Sequence, residues 1–124
     1  MNPVTDSAAR TLRRFVLFEA ATFLVAALIH AGFIVSGYEH REARIAESVI
    51  ATVLMAGAAI TWIRPRWAAE AGLVAQGFAL FGTLVGIFTI IVGVGPRTVP
   101  DVVYHVGIVL VLVWGSGVAL RLRR

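Results

Sequence analysis

The chain has no cysteine. Disulfides, thiolate metal sites and cysteine nucleophiles are therefore excluded, and the redox state of its compartment leaves no mark. It has no lysine either; all eleven basic residues are Arg. Charge of either sign is scarce, at 15% of 124 residues, where soluble domains carry about a quarter. Only Ser7, Ser36, Ser48 and Ser116 offer a serine hydroxyl, and none sits in a nucleophile motif. There is no Gly-rich phosphate loop and no HExxH or ExxH spacing. These absences leave no recognisable reaction chemistry, and catalysis is not the expected role.

What is there is apolar. Hydrophobic residues make up 59% of the chain, and the mean hydropathy is +0.87. The charges fall in short clusters between long apolar runs, so part of the solvent must be lipid. The length allows one domain. The net charge of +4 does not point to nucleic acid, because the Arg residues flank apolar runs instead of forming a stripe.

The sequence predicts an all-α, integral-membrane four-helix bundle over residues 1–124. Residues 1–14 read as a polar leader. Spans are expected at about 15–35, 45–63, 72–94 and 102–120, each near the roughly 20 residues that cross a hydrocarbon core. The first run is too long for a cleavable signal and reads as a retained helix. Pro65 ends the second span, and Asp101 is the expected cap of the fourth. The Val- and Ile-rich fourth run lacks the alternation of a barrel strand. The N-terminus, the 64–66 loop and the C-terminus hold eight Arg, whereas the other two loops hold Arg41, Arg44 and Arg97. The excess predicts cytoplasmic termini in a multi-pass protein of the inner (plasma) membrane.

In the third span Ala75, Ala79, Gly82, Gly86 and Gly93 form a small-residue seam. Such seams let backbones approach closely. Packing within one bundle is the leading reading, and a homo-oligomer through the third span is the alternative.

The ionisable residues inside the spans carry the functional information. A charge at mid-bilayer costs about 2.5–3.5 kcal/mol on insertion scales, so each needs a reason. Glu19 and His30 share a face of the first span. Glu47 opens the second, Gln76 lies in the third, and Asp101 and His105 are an i, i+4 pair in the fourth. His30, Glu47, His105, Asp101 and the loop residue His40 fall at one depth, on the outer side. Three chemistries fit this. A metal ion could be held by His30, Glu47 and His105, completed by His40 or Asp101. A b-type haem could take His30 and His105 as axial ligands. A proton or small-ligand pocket could use the outer cluster, with Glu19 as an inner station. Tyr104 and Gln76 are expected as supporting donors around these groups. The leading expectation is a binding protein with an outward-facing His/Glu pocket. The alternatives are a small proton-coupled transporter or channel subunit, and a structural subunit whose polar groups only fix helix register.

Overall fold

The computed structural model describes residues 2–124. Four long helices account for almost all of it: α1 Pro3–His30, α2 Arg41–Ile63, α3 Ala68–Val92 and α4 Val99–Arg123. A single short 3-10 turn, Pro65–Trp67, leads into α3. No strand occurs among the described residues. α2, the Pro65–Val92 stretch and α4 are each long and apolar enough to cross a membrane. α1, at 28 residues, is as long as the longest of these, but Arg10, Arg13, Arg14 and Glu19 interrupt its first 17 residues.

Local chemistry explains where each helix begins and ends. Residues 3–14 are helical rather than an irregular leader, for three reasons. The Asn2 side chain accepts the Val4 N–H at 2.9 Å, Pro3 sits in the first turn, and Ala9 and Leu12 are buried against the bundle. α1 stops at His30, short of the expected Val35. Gly32 adopts φ +79°, the Phe33 N–H returns to Leu28 and the Gly32 N–H to Ile29. This pair of bonds on a left-handed glycine closes the helix.

α3 ends the same way: Gly93 has φ +88°, and Val94 and Gly93 donate to Thr89 and Ile90. Gly93 is therefore a terminator, exposed, and not a packing residue of the seam. α2 starts at Arg41 rather than Ile45, because the His40 ring accepts the Ala43 N–H and caps it. α4 starts at Val99, one turn earlier than expected. Thr98 is its cap, and Asp101 is the acid of a capping box that returns to the Thr98 N–H at 3.0 Å.

The helices pack in chain order around the bundle, α1 on α2, α2 on α3, α3 on α4 and α4 back on α1. Short connections make such neighbours antiparallel. The core is a column of Leu12, Val16, Phe23, Leu54, Ala79 and Leu112. The seam of α3 lies inside it: Ala75 and Ala79 are fully buried. A methyl at Gly82 would come 2.8 Å from Ile50 of α2, and one at Gly86 2.9 Å from His105 of α4. The seam thus serves contacts within the chain. The outer surface is the reverse of a soluble protein's. Phe18, Phe81, Phe88, Leu110 and Trp114 stand exposed, a surface suited to hydrocarbon.

Candidate functional site

Three helices bring one acid–base group each to the same end of the bundle. His30 is the last residue of α1, Glu47 lies in the second turn of α2, and Asp101 in the first turn of α4. His30 places Nδ1 2.7 Å from Oε2 of Glu47 and Nε2 3.1 Å from Oδ1 of Asp101. All three side chains are more than nine-tenths buried. The other oxygen of Asp101 accepts the Thr98 N–H and its hydroxyl. One imidazole is thus shared by two carboxylates. With both carboxylates ionised, even a fully protonated ring leaves one negative charge in excess, met only by the Thr98 donors. Buried charge that is incompletely paired is costly, so the arrangement is suited to attract a cation.

The other two histidines lie near this triad without joining it. His105 donates Nδ1–H to the Asp101 carbonyl at 2.7 Å, and its Nε2 faces the space that Gly86 leaves open. His40 spends Nδ1 as the cap of α2, at 3.2 Å from the Ala43 N–H, with its ring edge-on to His30 at 6.3 Å. Tyr104 meets His105 edge-on at 5.9 Å, but its hydroxyl donates to Thr22 of α1 rather than to the triad.

The expected metal set is not assembled. Both nitrogens of His30 are engaged, Nδ1 of His40 and of His105 are taken by backbone, and no group of three His, Asp or Glu able to hold a metal ion occurs among the described residues. The expected haem pair is not assembled either: both nitrogens of His30 are engaged by Glu47 and Asp101.

A cleft of about 410 Å³ adjoins the triad between α2, α3 and α4. Its polar wall is Glu47, His40, Glu42 and His105; Tyr104 and Phe23 supply aromatic surface. A second, more apolar groove of about 550 Å³ runs between α1 and α4 and reaches His30 and Asp101 from the other side.

Deeper in the bundle, about 16 Å along α1 from His30 at 1.5 Å per residue, lies Glu19. It is fully buried and accepts Gln76 Nε2 of α3 at 3.0 Å. Gln76 therefore partners the inner acid, not the outer cluster. Glu19 Oε2 and Gln76 Oε1 have no hydrogen-bond partner. An acceptor left so costs about 1–3 kcal/mol. Gly115 of α4 makes room: a methyl there would come 2.7 Å from Glu19 Oε1 and collide with Gln76 Nε2. At the Arg-rich end, Arg13 donates to the Thr61 carbonyl at 2.6 Å and lies over the Trp62 ring.

Sequence reading missed Gly115, Thr98 and Arg13. Gly115 follows Ile108 and Leu112 and precedes Ala119 on the buried stripe of α4, the one signal that could have found it. Comparison with family models, with curated proteins and with solved structures gave no match.

Proposed function

We propose that the chain is a four-span membrane protein with both termini cytoplasmic, whose outer end binds a small organic cation in the cleft between α2, α3 and α4. The observation that carries this reading is the buried triad of two carboxylates on one imidazole, with Glu47 opening onto that cleft. Four features of the lining suit an ammonium group. Glu47 and the rim acid Glu42 supply negative charge. His105 leaves Nε2 as an acceptor, because Nδ1 is its donor. Tyr104, half-buried on the lining, brings an aromatic ring, which attracts cations. The volume lies within the usual range of about 300–1,000 Å³ for small-molecule sites. α1 is taken as the fourth span because its apolar residues follow the Arg10–Arg14 cluster as those of the other spans adjoin Arg64, Arg66 and Arg121.

The test is equilibrium binding of radiolabelled tetraethylammonium to the protein in lipid nanodiscs. Saturable binding is expected, weakened at least about tenfold (about 1.4 kcal/mol) by Glu47→Gln. It is abolished by Ala46→Trp, which fills the cleft from an exposed lining position without touching the triad. Absence of saturable binding, or equal binding by both variants and the parent, would overturn the reading and leave the triad as a clamp between helices.

A further inference from the structure

The Glu19–Gln76 pair is short of one hydrogen. Both side chains are fully buried, and they share one bond, Gln76 Nε2–H to Glu19 Oε1. The remaining atoms of the two groups, Glu19 Oε2 and Gln76 Oε1, are both acceptors and both unpartnered. No Arg or His stands within ion-pair distance of Glu19 among the described residues. An acid with no cation beside it, in a pair that leaves one oxygen orphaned on each partner in the middle of an apolar bundle, needs something positive and small.

We propose that Glu19 and Gln76 form a proton-binding site at the centre of the bundle. The proton adds to Glu19 Oε2 and forms one O–H bond; the carboxylate becomes a neutral carboxylic acid, and no other bond changes. The hydroxyl supplies the donor the pair lacks, and an acid and an amide can then pair through two hydrogen bonds. A metal cation fits less well. Hard divalent ions take six or more oxygen ligands, and among the described residues these two are the only buried side-chain oxygens without a partner.

The neighbouring elements agree with a site for a proton. The polar residues they bury are Glu47 and Thr61 on α2, Gln76 and Thr83 on α3, and Asp101 on α4. Of the ionisable groups on α1, Arg13 lies six residues toward one end, occupied by the Thr61 carbonyl, and His30 eleven toward the other, occupied by its two carboxylates. Tyr104 and His105 on α4 are half-buried, and Tyr104 donates to Thr22, which in turn donates to the Glu19 carbonyl at 2.8 Å. Hydroxyls therefore stand between the inner pair and the triad. Gly115 keeps α4 from displacing the pair. This inference rests on the inner pair alone and stands apart from the binding of an organic cation at the outer end.

Infrared difference spectroscopy during a pH titration of the protein in lipid nanodiscs tests it. Near neutral pH, where exposed carboxyls are ionised, a protonated-carboxyl C=O band is expected, absent in Glu19→Gln, retained in Glu47→Gln and shifted in Gln76→Asn. A band unchanged in Glu19→Gln, or no such band near neutral pH, overturns the proposal. Melting in sodium chloride against choline chloride gives a second readout. Stabilisation specific to sodium and lost in Glu19→Gln would make the site a sodium site and overturn it as well. Should Glu19→Gln fail to fold, carbon-13 NMR of Glu-labelled parent protein decides, because one of its five Glu carboxyls must show the shift of a protonated acid.

Discussion

His30 ties together the helices at its end of the bundle. It joins α1 to α2 and α4 through two bonds at 2.7 and 3.1 Å, and its removal would leave Glu47 and Asp101 buried and facing each other. Breaking a buried ionic network by removing one partner costs about 3–5 kcal/mol. His30→Ala is therefore expected to lose stability of that order in denaturant titrations of the detergent-solubilised protein. His105→Ala, which gives up one bond to backbone, should lose about 1 kcal/mol. Equal losses in the two variants would show that the triad is not the stronger element. The residue types and the depth of this cluster were legible in the sequence. The sharing was not: that His105 and His40 turn their Nδ1 atoms to backbone depends on local helix geometry that no spacing rule reveals.

At the scale of the helix, two devices are open to test. The capping box of α4 uses Thr98 and Asp101, and Asp101 also serves His30. Thr98→Ala removes a cap and should cost about 1 kcal/mol. Asp101→Ala loses the cap and the ion pair together and should cost clearly more, which thermal unfolding of the two variants would measure. The second device is close approach. A methyl at Gly57 would lie 2.5 Å from Ala75 Cβ, and one at Gly115 would press on the Glu19–Gln76 pair. Overpacking of this kind costs about 1–3 kcal/mol. Gly57→Ala and Gly115→Ala should each destabilise the bundle by that amount. Gly107→Ala, with open space around the new methyl, should not destabilise and could gain from better helix propensity. The existence of the helices was evident from the apolar runs, whereas their ends were displaced by caps at Asn2, His40, Thr98, Gly32 and Gly93. Side-chain and left-handed caps act over single residues, which hydropathy averaged over a span cannot resolve.

For the whole molecule, the absence of native cysteine makes topology directly measurable. Single-cysteine variants Ser7→Cys and Ser36→Cys, both exposed, should react with a membrane-impermeant thiol reagent from opposite sides in right-side-out vesicles. Labelling of Ser36→Cys alone is expected before lysis. Labelling of Ser7→Cys from the outside would reverse the proposed orientation, and labelling of both would remove α1 from the set of spans.

The sequence alone determined that the chain is helical, that its surface suits lipid and that its histidines and most of its acids gather toward one end. Hydrocarbon leaves a backbone no partner but itself, so long apolar runs have few alternatives to a helix. Tertiary structure decided which polar groups meet. Helix rotation is set by packing, and here it is the contacts of Gly57 on Ala75, Gly82 on Ile50 and Gly115 on the inner pair that set it. Those contacts turned Gln76 toward Glu19, and the expected outer cluster resolved into a triad with His105 and His40 beside it at a cleft.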